Sequence, residues 1–129
     1  MEIKEGMYVR TKDGEIAKID GCLGKDSGYK NMEHYETDRM VTKFNNFILY
    51  KEHIVKASHN IIDLIEKGDY VNGQYVYGTG YNIYDDYGVK IEEDLKHSSV
   101  IRENEIKTIL THEQFESISY KMSYKVGEV

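Results

Sequence analysis

Turn-forming dipeptides divide this chain into short segments and restrict it to antiparallel strands joined by tight turns. Asp13-Gly14 and Asn72-Gly73 each separate two short stretches of strand-forming residues. Both dipeptides favour the positive φ angles of a type I′ turn, whose twist matches that of paired antiparallel strands. Asn45-Asn46 stands in the same relation to residues 40–44 and 47–50. The sequence therefore predicts a series of β-hairpins.

A short internal repeat indicates that the chain has two related halves. The letters IKEGMYV at residues 3–9 return as IEKGDYV at residues 65–71, and each copy precedes one of the turn dipeptides. We therefore expect an N-terminal β lobe over residues 1–57 and a C-terminal β lobe over residues 58–129. The lobes are expected to pack as one compact unit, because a chain of 129 residues suits a single small domain.

Two segments carry helical signals. Residues 58–65 place isoleucine and leucine on one side of a turn, and Ser58 or Asn60 is available to cap its start. Thr111 and Gln114 have the spacing of a capping box, in which each side chain bonds the backbone of the other residue. We therefore expect one short helix in each of these two places.

The remaining segments are interpreted as strands and loops. Strands are expected over residues 69–77, 81–84, 100–101 and 106–110 and, in the tail, over 120–126. Residues 21–31, rich in lysine and glycine, are expected to form a mobile loop, and the acidic segment 85–94 is expected to interrupt the strands. The chain is thus predicted to be mostly β with two short helices, as one or two small SH3-like or Greek-key barrel lobes of antiparallel hairpins.

Charge and cysteine content bear on the compartment and the partners. Cys22 is the only cysteine, so no intramolecular disulfide can form, and no apolar span of about 20 residues is present. These features predict a cytosolic protein that does not enter a membrane. The net charge of −6, with lysines interleaved among carboxylates, disfavours duplex nucleic acid as a partner. Any bidentate recognition of phosphate would fall to the three arginines, Arg10, Arg39 and Arg102.

Tyrosine is concentrated between residues 70 and 87, where it is interleaved with glycine. Flat rings beside flexible glycines can stack on nucleotide bases, at about 1–3 kcal/mol per base, and the hydroxyls can reach sugar or phosphate. The candidate ligand-binding residues are Tyr75, Tyr77, Tyr81, Tyr84, Tyr87 and Arg102. The alternative is that these tyrosines fill half-buried strand positions at the edge of a small barrel.

The sequence offers no catalytic or metal-binding pattern. The five histidines have spacings that match no zinc motif, and a single cysteine cannot complete a thiolate site. Cys22 and His34 are the nearest approach to a nucleophile with a base, and a half-buried, inert cysteine is the simpler interpretation. The acidic segment 85–94 lacks the ligand spacing of a calcium loop. We therefore expect no enzymatic activity, no cofactor and no metal.

Two stretches give the chain a resemblance to known proteins. They are SHNIIDLIEKGDYVNG at residues 58–73 and IKTILTHEQFES at residues 106–117. Together with the preference for lysine, isoleucine, asparagine and tyrosine, they resemble small accessory proteins of phages and prophages from clostridia-like bacteria. The resemblance implies a counter-defence setting in the host bacterial cytosol, and it brings no functional residues with it.

Three hypotheses of function follow, each from a different class. A sponge would sequester a nucleotide-derived immune signal on the tyrosine-rich segment, with Arg102, Arg39 or lysines on its phosphates. An inhibitor would use the carboxylates of residues 85–94 to block a host defence protein such as a CRISPR nuclease. A structural or assembly module of a phage would use its sheet edges to form a homo-oligomer. The sponge is favoured because it needs neither a nucleophile nor a metal.

Overall fold

The computed structural model describes residues 2–41, 45–92 and 99–117 and confirms a mostly β fold built from antiparallel hairpins. These residues contain three small sheets, short 3-10 turns and one helix. The chain divides into two compact units, residues 1–64 and 65–129. No helix among the described residues is both long and apolar enough to cross a membrane. The strand predicted over residues 120–126 lies outside the described residues.

The first unit has the strand arrangement of a small SH3-like barrel. Its strands are β1 (Tyr8–Thr11), β2 (Ile16–Asp26), β3 (Met32–Val41), β4 (Asn46–Tyr50) and β5 (Ile54–Ser58). They form one sheet in the order β4-β3-β2-β1-β5, in which the long β2 pairs first with β1 and then with β3. A 3-10 turn, Lys51–His53, leads from β4 into β5, which returns to pair with β1. The predicted hairpins therefore form an antiparallel meander in this unit, and β5 returns to the free side of β1.

The first hairpin is confirmed, but its turn is not the predicted type I′ turn. Only Gly14 has a positive φ, of 83°, whereas a type I′ turn needs two such residues in succession. The Thr11 hydroxyl accepts the Glu15 N–H at 3.1 Å, and the Thr11 N–H donates to the Glu15 carbonyl at 2.9 Å. These bonds favour a four-residue loop, over residues 12–15, in place of the two-residue turn. The Asp13-Gly14 dipeptide alone does not predict this loop.

The expected loop over residues 21–31 is wrong, because most of it belongs to strand β2. Cys22 pairs with Tyr35 and Lys25 with Glu33, and the turn itself occupies residues 27–31. The Asp26 carboxylate accepts the Gly28 N–H at 2.9 Å and starts that turn. The outer part of β2 is largely exposed, so ladder hydrogen bonds rather than an apolar face hold it. A search for hydrophobic alternation cannot detect such a strand.

Two further predictions for the first unit are confirmed with altered bounds. Val41 pairs with Asn46 across a connection in which Asn45 has a φ of 50°, and residues 42–44 of this hairpin lie outside the described residues. The helix expected over residues 58–65 is a single 3-10 turn, Ile61–Leu64. The Asn60 carboxamide oxygen accepts the Ile62 N–H at 3.1 Å and caps this turn.

Arg10 lies inside the first unit rather than on its surface. The apolar core of this unit consists of Ile3, Val9, Ala17, Ile19, Tyr35, Val41, Leu49 and Ile54. Arg10 follows Val9 in β1, and its side chain is fully buried. Its Nη1 donates to the Leu64 carbonyl at 2.9 Å, so the guanidinium satisfies the end of the 3-10 turn. Arg10 is therefore a structural residue and not a candidate for recognising phosphate.

The second unit is built from two three-stranded sheets. Its strands are β6 (Tyr70–Val71), β7 (Gln74–Tyr75), β8 (Gly78–Tyr81), β9 (Tyr87–Lys90), β10 (Val100–Ile101) and β11 (Ile109–Leu110). The sheet orders are β11-β6-β7 and β10-β9-β8. Asn72 and Gly73 have φ angles of 52° and 77°, which confirms the predicted type I′ turn between β6 and β7.

The strand predicted over residues 81–84 is wrong, since only Tyr81 is in a strand. Residues 82–86 form the turn between β8 and β9, and β9 lies within the segment expected to interrupt the strands.

The capping box is confirmed. The Thr111 N–H donates to Gln114 Oε1 at 3.1 Å, and the Gln114 N–H donates to Thr111 Oγ1 at 3.4 Å, at the start of the helix over residues 112–117.

Replacing the buried arginine tests its structural role. We expect Arg10→Ala to lower the free energy of unfolding by roughly 2–4 kcal/mol, because it removes a charged donor and leaves a cavity. Arg39→Ala is the matched control, since the Arg39 side chain is 68% exposed and lies 3.5 Å from Asp38. The control should change the free energy by less than about 0.5 kcal/mol. Equal urea denaturation curves for the two variants would contradict this role.

Candidate functional site

Four aromatic side chains of the second unit form a row, here called the aromatic row. The row runs Phe115, Tyr70, Tyr75, Tyr77, with successive ring centroids 5.3, 5.6 and 4.9 Å apart. The register of β6 and β7 places Tyr70 directly opposite Tyr75, and the helix over residues 112–117 supplies Phe115. Tyr75, Tyr77 and Phe115 remain 37%, 40% and 44% exposed. The row is therefore ordered by mutual contact while remaining open to solvent.

The turn between β8 and β9 presents a second group of aromatic rings. We call residues 81–87 the hairpin tip. Tyr81 and Tyr87 face each other across the strand pair, with ring centroids 5.0 Å apart in an edge-to-face arrangement. The Asn82 carboxamide oxygen accepts the N–H groups of Tyr84 at 2.8 Å and Asp86 at 2.9 Å, which folds the turn tightly. Tyr81 and Tyr84 are 64% and 69% exposed on this supported turn.

Two cations lie beside the hairpin tip. Arg102 Nη2 lies 3.0 Å from Asp86 Oδ2, in an exposed ion pair. A Cβ placed on Gly80 would lie 3.4 Å from Lys90 Nζ, so the lysine ammonium covers the glycine of the neighbouring strand. Lys90 was not among the predicted ligand-binding residues, because its position depends on the strand register, which sets it opposite Gly78. The tip thus combines exposed rings with the carboxylates of Asp85 and Asp86 and has two cations beside it.

The predicted site residues fall into separate groups rather than one cluster. Tyr75 and Tyr77 belong to the aromatic row, and Tyr81, Tyr84 and Tyr87 belong to the hairpin tip. Arg102 pairs with Asp86 of the tip. The predicted site residues did not include Tyr70 and Phe115 of the aromatic row or Lys90 beside the tip. The Tyr70 ring adjoins the others in the sequence, whereas the contact with Phe115 leaves no local signal.

A shallow apolar pocket of about 290 Å³ adjoins the aromatic row. It is lined by Tyr70, Gly73, Thr108, Ile109, Leu110 and Phe115. Asn72 positions one wall: its Oδ1 accepts the Lys107 and Thr108 N–H groups at 2.8 and 3.1 Å, and its Nδ2 donates to the Glu105 carbonyl at 2.9 Å. The residue that makes the type I′ turn therefore also holds the strand that closes the pocket.

The first unit has a polar pocket of about 430 Å³ that contains Cys22 and His34. Cys22 is exposed, so the expectation of a half-buried cysteine is wrong. Its Sγ lies 3.7 Å from the Ile3 carbonyl, and His34 Nδ1 lies 2.8 Å from the Gly24 carbonyl. These hydrogen bonds run to backbone carbonyls rather than between thiol and imidazole. The pocket therefore presents no activated nucleophile through these contacts.

A carboxylate in the same pocket organises its neighbours. Glu33 Oε2 accepts hydrogen bonds from Lys51 Nζ at 3.0 Å and from the Tyr35 hydroxyl at 3.1 Å. The bond from Lys51 lowers the pKa of Glu33, and the bond from Tyr35 acts in the same direction. Burial, and then the bond to Glu33, raises the pKa of Tyr35 to about 12. At neutral pH this carboxylate is therefore ionised and the phenol neutral, which suits structure rather than proton transfer.

Another aromatic pair in the first unit has its hydroxyls occupied by carboxylates. The rings of Tyr29 and Tyr50 have centroids 4.2 Å apart. The Tyr29 hydroxyl donates to Glu52 at 2.5 Å, and the Tyr50 hydroxyl donates to Asp26 at 2.7 Å. These hydrogen bonds raise the pKa of each tyrosine and lower the pKa of each carboxyl group. Both rings are half-buried, so they offer less free surface than the hairpin tip.

A histidine and two glutamates of the second unit converge on one point. Glu66 Oε2 lies 2.7 Å and Glu113 Oε1 lies 3.1 Å from His112 Nε2. Glu66 and His112 are 46 residues apart in the sequence, so no spacing motif reveals their contact. Imidazole nitrogen and carboxylate oxygen are both metal ligands, and the three side chains have the composition of a metal site.

Comparison with known proteins gives no match, whether to a family model, to a curated protein or to a solved structure.

The raised pKa of Tyr35 predicts a loss of stability at alkaline pH. The unfolded phenol loses its proton near pH 10, whereas the folded phenol retains it to about 12. Between these values the folded state binds more protons, so the free energy of unfolding falls as the pH rises. We expect a shallower fall between pH 10 and 12 for Tyr35→Phe in chemical denaturation. Identical slopes for the variant and the wild type would contradict the assignment.

Proposed function

We propose that this chain is a non-catalytic binding protein that captures a flat, nucleotide-type ligand on the hairpin tip and acts by sequestration. The observation that carries the proposal is the exposure of Tyr81 and Tyr84, at 64% and 69%, on a turn that Asn82 folds tightly. Exposed rings in a supported turn lose little conformational entropy on binding a ligand. Stacking on such rings contributes about 1–3 kcal/mol per base.

The charges beside the tip support a phosphate-bearing ligand. Lys90 Nζ lies against Gly80, the residue before Tyr81, and Arg102 is held at the tip by Asp86. Opening an exposed ion pair costs only about 0–1 kcal/mol, so a phosphate can compete with Asp86 for the guanidinium. The bond between arginine and phosphate is charge-assisted and can be bidentate, which favours the exchange. One cation thus lies beside the residue that precedes Tyr81, and a second becomes available on binding.

The biological setting of the proposal follows from the resemblance to phage and prophage accessory proteins. In a host bacterial cytosol, a protein of this kind would sequester a nucleotide-derived immune signal and so protect the phage. Sequestration requires neither a nucleophile nor a cofactor, which agrees with the hydrogen bonds of Cys22 and Glu33 described above. The net charge of −6 favours a small ligand, which touches only the tip, over duplex nucleic acid.

A second function, inhibition of a host defence protein, is favoured by one observation. Ile83 is 59% exposed at the hairpin tip between Asn82 and Tyr84. An exposed aliphatic side chain beside exposed aromatic rings makes an apolar patch, and such patches mark protein interaction sites. Mimicry of nucleic-acid phosphates is less favoured, since a net charge of −6 in a chain with 17 lysines and arginines is modest for that role. A protein partner is therefore the alternative to test at the same tip.

A double substitution tests the nucleotide proposal. In a thermal-shift screen against cyclic and linear nucleotides, including cyclic ADP-ribose isomers, we expect one ligand to raise the wild-type melting temperature by several degrees. A ligand at about 100 times its dissociation constant stabilises the fold by about 2.7 kcal/mol. The variant Tyr81→Ala/Tyr84→Ala should lose this shift and keep its own stability within about 1 kcal/mol, because both rings are exposed.

The matched control is Phe47→Ala, which removes an exposed ring, 47% accessible, from strand β4 of the first unit. This variant should keep the full ligand-induced shift. A shift retained in the double variant would contradict the tip as the binding site. If no nucleotide raises the melting temperature of the wild type, the nucleotide proposal is wrong. Capture of a purified defence protein by the wild type but not by Ile83→Asp would then favour the inhibitor.

A further inference from the structure

We infer that Glu66, His112 and Glu113 form a binding site for a divalent transition-metal ion, with zinc as its representative. The three ligand atoms, one imidazole nitrogen and two carboxylate oxygens, lie within 4.8 Å of one another. Both carboxylates are directed at the same atom, His112 Nε2. The inference uses none of the tyrosines of the hairpin tip, so it is independent of the nucleotide proposal.

The hydrogen-bonding capacity of an imidazole explains why a metal ion suits this arrangement. Nε2 carries at most one hydrogen, so it can donate to only one of the two carboxylates at a time. One imidazolium charge also faces two carboxylates, and Glu116 Oε1 lies 3.9 Å from His112 Nδ1. A divalent cation in place of that proton can bond the nitrogen and both carboxylates at once. The neutral imidazole is also the form that binds metal ions.

The two separations from His112 Nε2 require only a small adjustment to admit an ion. Zinc binds nitrogen and oxygen ligands at about 2.0–2.2 Å, and tetrahedral geometry then places ligand atoms about 3.3 Å apart. The separations of 2.7 and 3.1 Å from His112 Nε2 are slightly shorter than this. Rotation of the glutamate side chains can supply the difference, because Glu66 and Glu113 are long side chains. Their side chains are 32% and 23% exposed, so solvent reaches the site.

A buried carboxylate holds the backbones of two ligand residues in place. Asp69 is fully buried, and its two oxygens accept the N–H groups of Glu66 and His112, each at 2.8 Å. Gly68 has a φ of 98°, a conformation that favours glycine, in the turn between Glu66 and Asp69. The ligands therefore start from a fixed backbone geometry, which lowers the entropic cost of binding an ion.

The ligand set determines the class of metal. One nitrogen and two carboxylate oxygens suit zinc or manganese, whereas calcium and magnesium prefer oxygen alone and copper(I) prefers sulfur. Three protein ligands leave a fourth tetrahedral position open to water or to an exogenous ligand. The ligand set implies binding of an ion and no reaction.

Isothermal titration calorimetry with zinc on the full chain tests the site. We expect one equivalent to bind the wild type and each of Glu66→Gln, His112→Gln and Glu113→Gln to weaken that binding at least about tenfold. The matched control is His59→Gln, which removes an exposed histidine of the first unit and should leave the affinity unchanged. Absence of a saturable equivalent, or wild-type affinity in His112→Gln, would overturn the inference.

A measurement on the wild type keeps the test decisive if a variant fails to fold. Manganese(II) is paramagnetic and broadens the NMR signals of protons near its binding site. We expect substoichiometric manganese to broaden the ring signals of His112 before those of His34 and His59. Uniform broadening, or broadening that begins at another histidine, would show that the cluster does not bind the metal and would overturn the inference.

Discussion

The buried carboxylate of Asp69 is the interaction on which the second unit depends. Its two oxygens accept backbone hydrogens from Glu66 and His112, and its own carbonyl accepts the Val76 N–H at 2.8 Å. A buried carboxylate without such partners would be costly, so the chain must bring these segments together when it folds. This contact fixes the start of the helix against the β6–β7 hairpin. It thereby places Phe115 beside Tyr70 and His112 beside Glu66.

The small size of the second unit explains why its tyrosines remain on the surface. Its strands have two or four residues, and the apolar side chains buried there are chiefly Val71, Val76, Val89 and Ile101. Sheets of this length have little interior volume for an aromatic ring, so rings along the β6–β9 region contact one another at the surface instead. Exposed apolar groups of this kind commonly mark binding surfaces. The proposed function therefore depends on tyrosine rings that the small core has no room to bury.

Local patterns predicted those parts of the fold that depend on local chemistry. Asn72-Gly73 makes its type I′ turn, and the Thr111–Gln114 capping box begins a helix, because both depend on a few adjacent residues. The pairing of β1 with β5 and the burial of Arg10 depend on contacts between distant segments. The candidate site shows the same dependence on distant contacts. The concentration of tyrosine between residues 70 and 87 is visible in the sequence, but strand register decides which tyrosines join the aromatic row and which join the hairpin tip. The His112 cluster joins residues 46 positions apart and was invisible to spacing motifs.

The most direct test of the central claim is a two-dimensional NMR titration of the isotopically labelled chain with the nucleotide panel. The account predicts that one nucleotide shifts the ring signals of Tyr81 and Tyr84 upfield, as stacking does, and perturbs the backbone signals of residues 81–90 and Arg102. Residues of the first unit, such as Tyr29 and Tyr50, should remain unperturbed. Perturbations confined to the first unit, or none with any nucleotide, would contradict the claim that the hairpin tip binds a nucleotide-type ligand.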